Sequence, residues 1–231
     1  MDRIRMRWSF GDLPNLLKTG VAEDPGAPSS AFLEGLFASL AEGYQEWVRP
    51  VGARLQPARV RLVEPSDVDR CLEIQQACEG RFYPHGYRES FRDCLIGGKG
   101  LYLVVERHGV VAGCGGIEPV EHPNQAVFHF DMVHPDFHGQ GLGTALLLAR
   151  VAMLDLRRQP GLVLMNVPVD SLGFYRRFGF GAVHQFTDHL GNKFVYAGRH
   201  YKAEEVNSIR RTLRDHDVSW PDVNTHRLEA V

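Results

Sequence analysis

Three glycines stand close together between a strand-like segment and an apolar helix-like segment. They are Gly139, Gly141 and Gly143, and they lie in the run from Pro135 to Thr144, PDFHGQGLGT. Glycine lets the backbone approach a ligand closely and take a positive φ. The free N–H groups and the dipole of a helix N-terminus attract an anion. This turn is therefore a candidate site for a phosphate-bearing ligand, the alternative being a plain tight turn with a helix cap.

The spacing of these glycines argues against two common phosphate sites. A P-loop needs Gly-Lys-Ser/Thr, whereas Gly143 is followed by Thr144-Ala145. A dinucleotide fingerprint needs Gly-x-Gly-x-x-Gly on a first strand, whereas Gly-x-Gly-x-Gly here follows about four predicted strands. Another nucleotide-binding enzyme with a glycine-rich turn therefore stays a secondary hypothesis.

The run from Val133 to Leu147, VHPDFHGQGLGTALL, resembles the acetyl-CoA signature of the GNAT superfamily of N-acetyltransferases, Gln/Arg-x-x-Gly-x-Gly/Ala. His138 stands where Gln or Arg is usual, but a histidine still donates a hydrogen bond to a phosphate. The resemblance implies that acetyl-CoA is the acyl donor, with its pyrophosphate on the backbone of the turn and its pantetheine arm along the end of the preceding strand. The residues implied in this binding are Met132, Val133, His134, His138, Gly139, Gln140, Gly141, Leu142, Gly143 and Thr144.

A second run, Ser171 to Phe180, SLGFYRRFGF, resembles the Phe-Tyr-x-x-x-Gly-Phe helix of the same superfamily. Pro168 replaces the Asn that usually precedes this helix, and Asn166 lies two residues earlier. Direct transfer from a thioester to an amine needs an acid for the departing thiolate, and the resemblance assigns this role to Tyr175. By itself Tyr175 would be interpreted as an amphipathic core tyrosine. Direct transfer needs no nucleophilic cysteine, so Cys114 is expected to be structural.

The general base is sought on the predicted strand from Ala126 to Val133. In a regular strand Val127, His129 and Asp131 share one face. His129 takes up a proton near neutral pH, and Asp131 would orient a water or bind the substrate ammonium. The alternatives are that His129 packs in the sheet while Asp131 bonds a loop, that Glu118 is the base, or that a chain of waters removes the proton.

Hydrophobic periodicity and turn residues predict the elements that position these groups. From about residue 58 to 201 the predicted order is β-α-α-β-β-β-α-β-α-β-β, which indicates an α/β fold with a mixed central sheet flanked by helices, as in GNAT domains. The segment from Leu142 to Arg157 is predicted to be a helix that is apolar nearly all round and therefore well buried. The aromatic segment from Arg81 to Arg88 is expected to line the acceptor pocket or, alternatively, to anchor its loop.

Two extensions flank the predicted domain at 58–201. Residues 1–57 contain an amphipathic helix at about 31–48, and residues 202–231 contain a short helix and a polar tail. The apolar face of the N-terminal helix must pack on something. It would extend the core, close the pocket or form a homodimer.

Composition bounds the partners and the location. The 26 Lys and Arg residues nearly balance 28 Asp and Glu, a net charge of −2, so there is no electrostatic reason to expect nucleic acid or an anionic membrane as a partner. The 4 cysteines lack the Cys-x-x-Cys spacing of zinc or redox sites, so no metal is expected. No apolar leader is found near Met1, and a cytoplasmic location is expected.

The sequence therefore predicts an N-acetyltransferase that moves an acetyl group from acetyl-CoA to a primary amine by direct attack on the thioester. The amine belongs to a small molecule or to a peptide or protein, and the residues do not choose between these. The alternative is a non-catalytic acyl-CoA-binding or interaction module with the same fold. That alternative is motivated by His138 and by Pro168 in place of Asn.

Overall fold

The computed structural model describes residues 55–97, 100–119, 125–154 and 161–222. The helix predicted at about 31–48 lies outside these ranges. The strands are β1 (Ala58–Leu62), β2 (Leu101–Arg107), β3 (Val110–Pro119), β4 (Gln125–Val133), β5 (Gly161–Pro168), β6 (Gly181–Thr187), β7 (Lys193–Tyr201) and β8 (Val218–Ser219). The α-helices are α1 (Val68–Cys78), α2 (Arg88–Ile96), α3 (Leu142–Ala152), α4 (Leu172–Arg176) and α5 (Ala203–Asp215).

The strands form one mixed sheet in the order β6-β7-β5-β4-β3-β2-β1-β8. Neighbours are antiparallel except for the pairs β4–β5 and β1–β8, which are parallel. This confirms the predicted α/β fold with a mixed sheet flanked by helices. Strand β8 lies in the segment predicted as a polar tail. It was not predicted, because its two residues, Val218 and Ser219, are too few to show a hydrophobic period.

Helices cover both faces of the sheet and divide the core in two. On one face α3 and α5 pack against the strands, and α4 contributes Leu172 and Tyr175 to the same cluster. On the other face α1 and α2 enclose a smaller cluster that includes Ile74 and Phe91. No helix of the described residues has the length and apolar character needed to span a membrane.

Helix α3 is buried round nearly its whole circumference, as its sequence predicts. It ends at Ala152, before the predicted end at Arg157. Arg210 of α5 donates to the carbonyl of Ala152 (2.8 Å) and to that of Leu154 (3.0 Å). The Ala152 carbonyl is an acceptor that a helix C-terminus leaves without a helical partner, so a contact distant in sequence caps the helix there.

Packing continues past residue 201, where the predicted C-terminal extension begins. Val206, Ile209 and Leu213 of α5 are buried in the same core as α3. Glu205, in the first turn of α5, forms a buried ion pair with Arg199 of β7. The described part of this extension is therefore integrated into the domain core.

The two central parallel strands separate towards their carboxyl ends. Residues 125–128 of β4 pair with 162–165 of β5, ending at Phe128 opposite Met165. Beyond this point β4 stays paired with β3 as far as Val133, and β5 stays paired with β7 as far as Pro168. The sheet therefore opens between β4 and β5, and openings at strand carboxyl ends are common ligand sites in α/β proteins.

Candidate active site

The glycine-rich turn joins the carboxyl end of β4 to the N-terminus of α3. Gly139 and Gly141 have φ values of +75° and +78°, and Gly141 is the N-cap of the helix. Among the described backbone contacts of this turn, the amide of Ala145 donates to the carbonyl of Gly141 (2.9 Å) and so closes the first helical turn. The amides that precede Ala145 are those that a helix leaves available for an anion.

The side chain of His138 fastens this turn to the end of β4. Its Nε2 lies 2.7 Å from the carbonyl oxygen of Val133, and its ring meets the ring of Phe82 edge-on, with centroids 4.5 Å apart. The thiol of Cys78 donates to the same carbonyl (3.3 Å). In this structure His138 therefore bonds to the strand end, which the resemblance assigns to pantetheine, and not to a group in the turn.

The two sequence motifs touch each other. A methyl group added to Gly143 would lie 3.5 Å from the ring of Phe174 on α4. The guanidinium of Arg177 lies over the Phe174 ring, 5.0 Å from its centroid. The start of α3 and the helix that carries Tyr175 are thus held side by side.

Tyr175 is almost fully buried, with 7% of its surface exposed. Its hydroxyl donates a hydrogen bond to Oδ2 of Asp131 (3.1 Å). Burial raises the pKa of Tyr175 well above its usual value, and the negative charge of Asp131 raises it further. The phenol therefore keeps its proton at neutral pH.

Arg150 neutralises Asp131 from inside the apolar helix α3. It has no exposed surface, and both of its terminal nitrogens pair with the two carboxylate oxygens of Asp131. It also donates to the carbonyl of Gly116 (2.9 Å), and its guanidinium lies 4.4 Å from the centroid of the Phe128 ring. Asp131 thus has an internal counter-ion, which competes with the predicted role of binding substrate ammonium.

A bulge in β4 places the residues around Asp131. Cys114 of β3 lies opposite Met132, and Gly116 lies opposite His129, so Phe130 and Asp131 together face a single residue of β3. Phe130 has φ +54°, in the left-handed region. This is the pattern of a β-bulge, which interrupts the alternation of side chains along a strand.

The predicted common face of Val127, His129 and Asp131 is therefore wrong for Asp131. A methyl group on Gly115 would lie 3.0 Å from Oδ1 of Asp131, and one on Gly116 would lie 2.7 Å from the ring of His129. Successive residues of β3 point to opposite faces of the sheet, so His129 and Asp131 do so as well. The prediction assumed a regular strand, in which side chains alternate strictly between the two faces. The extra residue of the bulge breaks this alternation between His129 and Asp131.

His129 packs beside Tyr102 on the face opposite Arg150. The Tyr102 hydroxyl lies 3.3 Å from Nδ1 of His129. Burial lowers the pKa of His129 to about 4, and the positive charge of Arg150 acts in the same direction. At neutral pH the imidazole is therefore neutral and has a low affinity for a proton.

A small cavity lies at the opening between β4 and β5. The residues that line it are Phe82, Tyr83, Phe128, His129, Phe130, Asp131, Met165, Asn166, Pro168, Ser171 and Tyr175. It brings together the three predicted catalytic residues with Phe82 and Tyr83, two residues of the aromatic segment that was expected to line the acceptor pocket. Glu118, the competing candidate base, is not among these lining residues.

Sequence reasoning missed Arg150 as a member of this site. The sequence feature that could have identified it is that Arg150 is the one charged residue in the apolar run LGTALLLARVA. Charged side chains are seldom fully buried unless they are paired, so that run demanded a carboxylate partner.

The chain is similar in sequence to known acetyltransferases. Residues 68–180 match the model of the acetyltransferase (GNAT) family. The chain is 31% identical over 204 residues to a mycothiol acetyltransferase of Saccharomonospora viridis, covering 79% of this chain and 62% of that protein. It is 28% identical over 135 residues to an uncharacterized N-acetyltransferase of Methanocaldococcus jannaschii, covering 52% of this chain and 59% of that protein. The chain thus spans about three-fifths of the length of these curated relatives.

A solved structure has a similar fold. The ribosomal-protein-S18-alanine N-acetyltransferase of Escherichia coli superposes with a TM-score of 0.51 at 19% identity, covering 63% of this chain and 94% of that one. The family match includes the glycine turn and the Tyr175 helix, which lie side by side at the opening of the sheet. Residues 68–180 of the chain thus match the acetyltransferase (GNAT) family, and the fold is similar to that of a solved N-acetyltransferase.

Proposed function

We propose that this chain transfers an acetyl group from acetyl-CoA to a primary amine by direct attack of the amine nitrogen on the thioester carbonyl. The observation that carries the proposal is one juxtaposition. The open N-terminus of α3 touches the helix of Tyr175, and the Tyr175 hydroxyl lines the cavity between β4 and β5. This arrangement supports a phosphate site at the turn and a proton donor at Tyr175, on the two sides of one opening.

The turn and the end of β4 would hold the donor. The pyrophosphate of CoA would lie on the amides of residues 139–144 at the positive end of the helix dipole. The pantetheine arm would pair with the main chain at residues 132–134, as an added strand would. Pairing with the Val133 carbonyl would replace the hydrogen bond from His138, and the released imidazole would then be free to donate to a phosphate.

Tyr175 would act as the general acid. When the tetrahedral intermediate collapses, the carbon–sulfur bond breaks and the thiolate takes the phenolic proton. Asp131 accepts the hydrogen bond of this phenol before reaction, so the hydroxyl turns from the carboxylate to the sulfur. Proton transfer from water then restores the phenol. Asp131 is in this proposal a positioning residue.

We propose that a chain of waters removes the proton from the amine. Of the two candidates on β4, Asp131 is paired with Arg150, and the low pKa of His129 makes it a weak base. His129 would bind a water in the cavity through a hydrogen bond. This choice keeps an alternative that the sequence had left open.

Thermal unfolding of the full chain with acetyl-CoA, NAD or ATP is the first test. A ligand that binds only the folded state raises the unfolding temperature, and we expect this for acetyl-CoA alone. CoA release is then measured with a panel of primary amines. Stabilisation by NAD or ATP but not by acetyl-CoA would refute the proposal, and binding of acetyl-CoA without transfer to any amine would favour the non-catalytic module.

A further inference from the structure

A row of four aromatic rings, here called the aromatic wall, crosses the opening between β4 and β5. Tyr83 stacks on Phe130 of β4 with centroids 5.9 Å apart. Tyr87 meets the edge of Tyr83 at 5.9 Å and that of Phe194 on β7 at 5.8 Å. Phe194 lies opposite Pro168, the last residue of β5. The wall therefore joins the two sides of the sheet where their backbones no longer pair.

Polar contacts lock this wall in place. The Tyr87 hydroxyl donates to the carboxylate of Asp188 in the β6–β7 turn. Asn192 at the other end of that turn donates from Nδ2 to the carbonyl of His85 (3.3 Å). Asp188 also accepts from the backbone amide of Asn192 (2.7 Å), which fixes the shape of the turn. We call the contact between residues 85–87 and 188–192 the clasp.

An apolar contact completes the clasp. Leu190, at the tip of the β6–β7 turn, packs against Gly86, where φ is +92°. A methyl group on Gly86 would lie only 2.6 Å from Cδ1 of Leu190. The two loops therefore meet closely, with no room there for a third chain to pass between them.

The cavity beside the wall has little net charge. Its carboxylate, Asp131, is paired with Arg150, and burial keeps His129 neutral near pH 7. Much of the remaining lining is aromatic, including Phe82 and Tyr83. Aromatic faces favour an apolar group or a single ammonium, but they offer no carboxylate to a second ammonium.

We propose that the acceptor is a small monoamine with an apolar or aromatic body, and that extended peptides and polyamines are poor acceptors. This inference rests on the proposed acetyltransferase activity. A peptide whose terminal amine reached the thioester would have to run through the opening that the wall and the clasp occupy. A polyamine would place a second ammonium against the aromatic lining of the cavity, whose carboxylate, Asp131, is already paired with Arg150.

The test compares acceptors of different shape and charge. The full chain is incubated with acetyl-CoA and with one of three monoamines (phenethylamine, tyramine, isoamylamine), with spermidine, or with an unstructured peptide that has a free N-terminal alanine. Release of CoA gives kcat/KM for each. We expect the best monoamine to exceed both spermidine and the peptide by roughly tenfold or more.

Two substitutions open the clasp without removing its rings. Tyr87→Phe deletes the hydroxyl that donates to Asp188, and Leu190→Ala deletes the packing on Gly86. In the double variant we expect kcat/KM for the peptide to rise roughly tenfold relative to the best monoamine, with unchanged affinity for acetyl-CoA. The matched control is Ile96→Ala, an exposed aliphatic residue at the end of α2, and it should keep the wild-type ratio.

The outcomes separate the inference from the activity on which it rests. Absence of CoA release with every acceptor overturns both. A peptide or spermidine that matches the best monoamine in the wild type overturns the inference and leaves the activity standing. An unchanged ratio in the double variant also overturns it, provided that thermal unfolding shows a folded protein. If the double variant is unfolded, Tyr87→Phe alone decides by the same ratio.

Discussion

Arg150 determines what Asp131 can do in this site. Arg150 pairs with the carboxylate of Asp131, and the same carboxylate accepts a hydrogen bond from the hydroxyl of Tyr175. A residue in the middle of α3 thereby orients the proposed proton donor on α4. The stability of the buried core and the proposed chemistry therefore both depend on this ion pair.

We expect Arg150→Met to destabilise the fold strongly. The substitution leaves the carboxylate of Asp131 without its counter-ion, and breaking a buried pair in this way costs about 3–5 kcal/mol. Urea unfolding measures the loss. Arg59→Met is the control, because the Arg59 side chain is 67% exposed and pairs with Glu106 at 3.7 Å, and such surface pairs contribute about 0–1 kcal/mol. Equal losses in the two variants would contradict this account of Arg150.

Tyr175→Phe tests the proposed acid. It removes one hydroxyl and keeps the ring in the core, so we expect kcat to fall by about 10²-fold or more while acetyl-CoA still binds. Steady-state kinetics and a binding titration measure the two effects. Tyr201→Phe changes another fully buried tyrosine, one that does not line the cavity, and should leave kcat near that of the wild type. Turnover of Tyr175→Phe equal to the wild type at every pH would remove Tyr175 from the mechanism.

At this scale the sequence was informative where residues lie within one short motif. Tyr175 was found because its neighbours Phe174, Gly179 and Phe180 follow a recognisable spacing. The partner of Arg150 could not be found in this way, because the pairing joins residues 19 apart in sequence through the geometry of a strand and a helix. Which carboxylate faces a buried arginine is decided by packing.

At the scale of the element, the glycine turn sets the N-terminus of α3. Gly139 has φ +75°, and a methyl group placed there would meet no protein atom within 4 Å. In the proposed complex the same space faces the pyrophosphate. A side chain at Gly139 would therefore strain the backbone and meet the ligand without touching any protein atom.

We expect Gly139→Ala to weaken acetyl-CoA binding by roughly tenfold or more, because the ligand must lie close to the backbone. The left-handed conformation adds a stability cost of about 1–2 kcal/mol. Gly109→Ala is a matched control, since Gly109 has φ +76° and also has open space around its Cα. It should lose similar stability and bind acetyl-CoA like the wild type. Calorimetric titration decides, and equal affinities in the two variants would contradict a phosphate site at the turn.

The order of elements was predictable because each long element has its own periodicity and is bounded by Gly, Pro or a capping residue. The bulge at Phe130 was not, since nothing in the run QAVFHFDMV departs from ordinary strand residues. The end of α3 at Ala152 was missed for a related reason. Its cap is Arg210, which is distant in sequence.

At the scale of the whole molecule, the burial of His129 makes stability depend on pH. Its pKa is about 4 in the folded chain and 6.5 for an ordinary histidine. Below pH 6.5 the unfolded chain therefore binds a proton that the folded chain refuses. The resulting stabilisation is fully present above pH 6.5 and is lost as the pH falls towards 4.

Urea unfolding at pH 7 and at pH 4.5 measures this effect. We expect the wild type to lose on the order of 2 kcal/mol more than His129→Gln over that interval. Glutamine keeps a hydrogen-bonding group beside Tyr102 but does not titrate. His108→Asn, at the exposed turn between β2 and β3, should behave as the wild type does. The same pH dependence in His129→Gln would show that other groups cause it.

The separation of β4 from β5 has a mechanical consequence for the domain. One half-sheet contains β1–β4 and β8, the other contains β5–β7, and residues 125–128 and 162–165 form the short seam that joins their backbones. Beyond that seam the halves are joined by side chains, so a small hinge motion there would change the width of the opening without breaking backbone pairing. A ligand lying in the opening would contact both halves and hold them at a fixed distance. Its binding energy would then appear as greater cooperativity of unfolding as well as a higher midpoint.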